Sequence, residues 1–105
     1  TARRARIDSI AVCGKTGTVE NFKRINGKVY QLTDHSNFMA FAPMENPQIA
    51  ISVFIENSGF GGTWSAPVAS LMIEKYITGT IQDTVKENRI LNANLIPDED
   101  DIIYK

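Results

Sequence analysis

Between Gln48 and Glu56 apolar and polar positions alternate without a break. Ile49, Ile51, Val53 and Ile55 fall on one face, and Gln48, Ala50, Ser52, Phe54 and Glu56 on the other. Period-two alternation marks a strand, and a second face that is itself partly apolar predicts a sheet covered on both sides. Upstream, Ser36 to Ala42 reads as another strand, joined to it through Pro43-Met44-Glu45-Asn46-Pro47, a turn whose prolines cannot donate to a ladder. So short a connection makes the strands antiparallel neighbours, because a parallel crossover needs about a dozen residues or more.

Ile7 to Glu20 predicts a third strand, carried by Ile10, Val12 and the β-branched Thr16, Thr18 and Val19. Gly14 and Gly17 inside it point to close backbone approach. Asn21 to Asp34 is polar, with Asn26-Gly27 as a tight turn, so a small hairpin built on Phe22 and Val29-Tyr30 is expected. After the flexible turn Asn57 to Gly62, Thr63 or Ser65 is placed to cap a helix that accepts Pro67 in its first turn. That helix runs to about Thr78 and stops at Gly79. Val68, Ala69, Met72, Ile73, Tyr76 and Ile77 form its apolar stripe, expected against the sheet, with Glu74 and Lys75 off it. From Thr80 the chain is polar; Ile90, Leu91 and Leu95 offer one more short helical contact before Pro97 and a charged end. The expected class is α+β: an antiparallel three-stranded meander with a covering C-terminal helix over residues 1–79, then a loosely structured tail over 80–105.

A chain of 105 residues has room for one small domain, which buries about two thirds of the surface its unfolded form exposes. A formal net charge of -1 gives no general attraction to nucleic acid or acidic membranes. The charge is uneven, with Arg3, Arg4, Arg6, Lys15, Lys23, Arg24 and Lys28 near the start and Asp98, Glu99, Asp100 and Asp101 near the end. Cys13 is the only cysteine, so an internal disulfide and a metal site of several thiolates are both excluded. No run approaches the roughly 20 apolar residues of a membrane helix, and no signal segment is present, so this piece is expected to be soluble. Arg3 to Arg6 lead straight into a strand pattern without linker composition, as if the chain begins inside a domain.

The chemistry concentrates in Val12-Cys13-Gly14-Lys15-Thr16-Gly17-Thr18-Val19-Glu20. A phosphate-binding loop requires Gly-x-x-x-x-Gly-Lys-Thr, and the window Ser9 to Thr16 fails at its first position. Its context fails as well, since the preceding residues are strand-like and Gly17-Thr18-Val19 are poor helix formers. On an exposed strand edge, by contrast, Thr16 and Thr18 share a face and can reach one ligand carboxylate, while edge amides and carbonyls can pair with an extended peptide. Lys15 points to the opposite face unless a local twist re-aims it. Taken alone, the four residues are better explained as a strand end with a solvated lysine. A serine-nucleophile site would also need Ser-x-x-Lys and Ser-x-Asn or Ser-Asp-Asn elements, which this chain lacks.

The rest of the chain changes that balance. Cys13 to Asn21, then His35-Ser36-Asn37-Phe38-Met39-Ala40-Phe41-Ala42-Pro43, Asn46-Pro47-Gln48-Ile49-Ala50, Glu56-Asn57-Ser58-Gly59 and Ala66-Pro67 together resemble the C-terminal end of class B penicillin-binding proteins. The resemblance is strongest to the penicillin-binding protein 2 branch of cell-elongation transpeptidases. It covers residues 1–79 and implies the penicillin-binding/β-lactamase-like fold, of which this chain would be a C-terminal part. It also implies that Lys15, Thr16 and Gly17 are the third active-site motif. Thr16 and Thr18 would hold the carboxylate of a D-Ala-D-Ala stem peptide or of a β-lactam, and the Thr18 backbone N–H would be one half of the oxyanion hole. Further implications are a serine transpeptidase that cross-links peptidoglycan and needs no metal or cofactor, with the nucleophile upstream and this piece inactive alone. The partners implied are a stem peptide or lipid-linked precursor, β-lactams, the remainder of the domain and elongation-machinery proteins, with no nucleic acid. The parent would be anchored in the inner membrane with this region on the periplasmic side. A β-lactam sensor domain of the same fold and a non-catalytic peptide-binding module are the alternatives.

Other residues invite plainer readings. His35, the only histidine, sits beside Asp34 but is expected to be structural, as the implied base chemistry is lysine-centred. Glu20 and Glu56 read as solvated strand-end carboxylates, and Cys13 as a small buried apolar residue. Phe60 and Trp64 are expected to pack over the sheet end rather than rim a groove. Arg3, Arg4 and Arg6 read as a solvated face.

Overall fold

The computed structural model describes residues 2–59 and 62–94. The expectations for Phe60, Leu95 and the acidic end lie outside the described residues. The alternating run becomes strand β5 (Ile49–Ile55), paired antiparallel with β4 (His35–Ala42), which pairs antiparallel in turn with β1 (Cys13–Val19). The sheet order is β1-β4-β5, so β1 is a terminal strand. Between β1 and β4 the chain makes a separate hairpin, β2 (Phe22–Ile25) and β3 (Lys28–Gln31). Its Asn26-Gly27 turn has φ of 53° and 79°, the doubly left-handed geometry that suits the twist of a two-residue hairpin and favours Asn-Gly.

The first strand is shorter than the expected Ile7 to Glu20. Residues Ala2–Ala5 form a 3-10 turn, an isolated Ile7–Ile10 bridge follows, and the extended ladder begins only at Cys13. Ser9 lies in the left-handed region at φ 70°, which folds Ile7 back toward Ile10 instead of letting an apolar run continue straight. Ala5 and Ile7 are thereby buried in the core.

Helix α1 (Ser65–Thr78) covers one face of the sheet. Its core joins Ala66, Ala69 and Ile73 to Phe38, Ala40 and Ala42 of β4, with Ile49, Ile51, Val53 and Ile77 packed around them. Of the expected helical stripe, Ala69, Ile73 and Ile77 face this core, and Met72 and Tyr76 do not. Met72 and Tyr76 are 53% and 63% exposed, whereas Ser70 and Glu74 are buried. Small residues allow the helix to approach the sheet closely, and the contact falls on Ala66 and Ala69 together with Ile73. Glu74, expected off the buried stripe, is held because its Oε1 accepts the Gln82 N–H at 3.0 Å.

The helix start is also different from the sequence reading. Trp64 is the N-cap and supplies no side-chain cap bond; the Ser65 hydroxyl is instead engaged with Ser36 of β4. At the other end Gly79 adopts φ 85° and its N–H returns to the Lys75 carbonyl at 2.9 Å, the expected stop. Within the stretch read as a loose tail, Thr84–Leu91 forms a second helix, α2, capped by Asp83, whose carboxylate accepts the Lys86 N–H at 3.0 Å.

The sheet's second face is not covered among the described residues. Met39 and Phe41 of β4 and Phe54 of β5 stand 55%, 41% and 52% exposed there. Antiparallel sheet with helices is the α+β class expected from the pattern, whereas the cover expected on both faces lies on one face only among the described residues.

Candidate functional site

The residues singled out by the sequence lie together on β1. In the β1–β4 register Lys15 is opposite Met39, Thr16 opposite Phe38, Gly17 opposite Asn37 and Thr18 opposite Ser36. Side chains alternate across a strand, so Thr16 and Thr18 share the face that carries buried Phe38 and Ser36. By register Lys15 falls on the uncovered face with Met39. It is exposed, and its Nζ donates to the Thr16 carbonyl at 2.7 Å. Thr16 is half-buried and Thr18 exposed. Cys13, expected to be buried, is only half-buried because it also falls on the uncovered face, opposite Phe41.

The two glycines of the strand differ. A Cβ on Gly14 would collide with the end of the Phe38 ring and would stand 3.0 Å from its Cε1 and 3.1 Å from the Met39 carbonyl oxygen. The close approach expected of Gly14 is therefore real, and it lets a full phenyl ring lie beneath the strand. A Cβ on Gly17 would meet only Asn37, at 3.8 Å, which is ordinary contact. Packing against the described residues does not require glycine at Gly17.

A polar cluster secures the far end of β1. The Asn21 side-chain amide donates to Asn57 Oδ1 at 2.5 Å and to the Thr33 carbonyl at 3.0 Å, and the Asn21 N–H donates to Asp34 Oδ1 at 3.3 Å. His35 Nδ1 accepts the Asn57 N–H at 3.0 Å while its ring lies 5.4 Å from that of Phe54. The Gly59 N–H reaches the Asp34 carbonyl at 2.8 Å. His35 is thus a structural acceptor. These roles for Asn21 and Asn57 were missed from sequence, where only their position at strand ends hinted that they tie the segments together. Below the cluster, the Ser36 hydroxyl donates to Ser65 Oγ at 2.5 Å and the Ser65 N–H to Ser36 Oγ at 3.3 Å, both fully buried. Glu20 and Glu56 are exposed. Among the described residues no group of His, Cys, Asp or Glu gathers as a metal site, and no helix is long and apolar enough to cross a membrane.

This geometry, a Lys-Thr-Gly-Thr segment on a terminal strand backed by one helix, coincides with a family match. The model of the penicillin-binding protein transpeptidase domain matches residues 1–74. The chain belongs to that transpeptidase family. Among its relatives, the peptidoglycan D,D-transpeptidase MrdA of Haemophilus influenzae is 32% identical over 96 residues, covering 84% of this chain and 15% of that protein. The MrdA protein of Acinetobacter baumannii is 34% identical over 101 residues, covering 90% of this chain and 14% of the relative. Stage V sporulation protein D of Bacillus subtilis is 35% identical over 72 residues, covering 65% and 11%. The chain therefore spans about one seventh of the length of its MrdA relatives. No solved structure matches it. The transpeptidase family match ends inside α1, so α2 lies beyond it.

Proposed function

We propose that this chain supplies the substrate-positioning wall of a serine D,D-transpeptidase that cross-links peptidoglycan stem peptides and is acylated by β-lactams. The observation that carries the reading is the placement of Lys15, Thr16, Gly17 and Thr18 on a terminal strand with room at Gly17 that packing of the described residues leaves unused. A ligand lying along that edge is reached from both sides of the strand. The Thr16 and Thr18 hydroxyls donate from one face to its terminal carboxylate, and the Lys15 ammonium adds positive field from the other. Thr16 and Thr18, two residues apart, also direct their backbone groups to the same side of the strand. The Thr18 N–H is assigned to the oxyanion that forms when a serine outside this chain attacks the D-Ala-D-Ala carbonyl. D-Ala leaves from that intermediate, and the amine of a neighbouring stem peptide then takes the acyl group from the serine.

The uncovered face bearing Met39, Phe41 and Phe54 is assigned to contact with the remainder of the transpeptidase domain, which also brings the serine toward Lys15. A stem peptide or lipid-linked precursor as substrate places the work in the bacterial cell envelope, on the periplasmic side of the inner membrane, where elongation-machinery proteins are the natural partners. The test is covalent labelling of the full-length protein by a fluorescent penicillin, read on a denaturing gel. Wild-type protein is expected to label, and Lys15→Ala and Thr16→Val to label at least about a hundredfold more slowly, the scale of losing one preorganised stabilising group. A folded full-length protein that takes up no label would overturn the reading.

A further inference from the structure

Beyond the residues that the family model matches, α2 and the turn leading into it are fastened to the body of the domain at several points. The Lys86 ammonium donates to Ser70 Oγ at 2.7 Å and to the Arg6 carbonyl at 3.0 Å, and Glu74 Oε1 accepts the Gln82 N–H at 3.0 Å. From this fixed platform Arg89 reaches the segment leading into α1. Its Nη1 and Nη2 both donate to the Thr63 carbonyl at 3.2 Å, and its guanidinium carbon lies 4.3 Å from the centre of the Trp64 ring. A forked hydrogen bond combined with stacking on an aromatic face fixes both position and plane, which a lysine cannot reproduce.

Arg89 holds the residues just before α1. Trp64 is the N-cap and offers no side-chain cap, so the helix start is secured from outside, by Arg89 donating to the Thr63 carbonyl and by Ser36 Oγ accepting the first N–H of the helix. The next residue, Ser65, is bonded to Ser36 through both its hydroxyl and its N–H, and Ser36 stands opposite Thr18 in the β1–β4 register. One continuous set of contacts thus runs from Arg89 through Thr63 and Trp64 to Ser65, Ser36 and Thr18.

We propose that Arg89 is a positioning residue for the proposed ligand-binding strand. By clamping the start of α1, it sets where Ser65 holds Ser36 and so how the Thr18 N–H is presented to the reacting carbonyl. The inference rests on the transpeptidase reading, and it assigns to the region after the matched domain a part in the acylation rate. Coupling carried through packed and hydrogen-bonded residues is commonly worth a few-fold to thirtyfold, and a loss of about five- to tenfold is expected here.

The experiment measures acylation of the full-length protein by a fluorescent penicillin over a concentration series, separating the binding constant from the first-order acylation rate. Variants are Arg89→Ala, Arg89→Lys and, as a control for lost stability, Ile73→Val, which trims the core away from the clamp. Arg89→Ala should slow the acylation step about five- to tenfold with little change in initial binding. Arg89→Lys should fall between it and wild type, and Ile73→Val should lower the melting temperature without slowing acylation. Hydrogen exchange should speed in Arg89→Ala at the amide of Ser65, which donates to Ser36 Oγ. An Arg89→Ala protein that melts earlier yet acylates at the wild-type rate overturns the proposal and leaves the transpeptidase reading intact. Wild-type protein that is folded but never labelled removes both. Should Arg89→Ala fail to fold, Arg89→Lys decides, and equality with wild type in both rate and exchange refutes the clamp.

Discussion

Gly14 and Gly17 occupy the same strand three residues apart, and the structure assigns them opposite tolerances for a methyl group. At Gly14 an added Cβ would press on Phe38, which is fully buried, and on the backbone oxygen of Met39. Neither can retreat without moving the sheet or the ring away from the core it shares with Ala40, Ala42 and Ile73. Forcing extra volume into a packed core costs about 1–3 kcal/mol, and replacing glycine in the unfolded chain returns about 0.4–1 kcal/mol. Gly14→Ala is therefore expected to lose about 1–2 kcal/mol. With a urea dependence of about 2 kcal/mol per molar, its unfolding midpoint should fall by about 0.5–1 M. Gly17→Ala meets only Asn37 at contact distance and should unfold at or slightly above the wild-type midpoint, while labelling with penicillin more slowly if a ligand lies along the strand. The assay is urea unfolding, followed by tryptophan fluorescence, of the transpeptidase domain that contains this chain. A Gly14→Ala midpoint equal to or higher than that of Gly17→Ala would refute the packing argument.

Two further predictions concern polar groups inside the domain. Ser36→Ala removes the buried hydroxyl that links β4 to α1 and should cost about 1–2 kcal/mol. A cycle with Ser65→Ala should show the two effects to be clearly less than additive, and simple additivity would mean that the pair does not act as a unit. Glu74→Ala withdraws the acceptor for the Gln82 N–H and should destabilise by about 1.5–3 kcal/mol, with faster hydrogen exchange confined to residues 80–91. Glu74→Gln, which keeps an acceptor oxygen, should recover at least half of that loss in melting temperature; no difference between the two variants would show that the contact is unimportant.

Much of the framework was legible in the amino-acid sequence because it depends on local rules. Alternation over Ile49–Ile55, the Asn26-Gly27 turn, the Gly79 stop and the short Pro-rich connection between β4 and β5 each follow from the conformational limits of a few neighbouring residues. The grouping of Lys15, Thr16, Gly17 and Thr18 was equally visible, as contiguous residues on one strand cannot be far apart. The face that α1 buries was legible only in part. Helical spacing put Ala69, Ile73 and Ile77 on the buried side, as the core has them, but it also counted Met72 and Tyr76, which are exposed, because spacing alone does not say how wide the buried stripe is. The short β1 was missed for a related reason, since the turn at Ser9 exists to bring Ile7 into a core whose other half comes from β4 and α1.

By itself, then, the chain's pattern determined the strands, the hairpin, the extent of the main helix and the motif that carries its chemistry, all of them consequences of residues near one another in sequence. Only the tertiary structure decided what those elements mean to each other. It left no room for a Cβ at Gly14 and left Gly17 unconstrained by its described neighbours, and it turned a stretch read as a loose tail into the α2 platform from which Arg89 grips Thr63 and Trp64. Each of these depends on side chains that are distant in sequence meeting in space. A local pattern cannot specify such meetings, because they follow from how all the buried faces are satisfied at once.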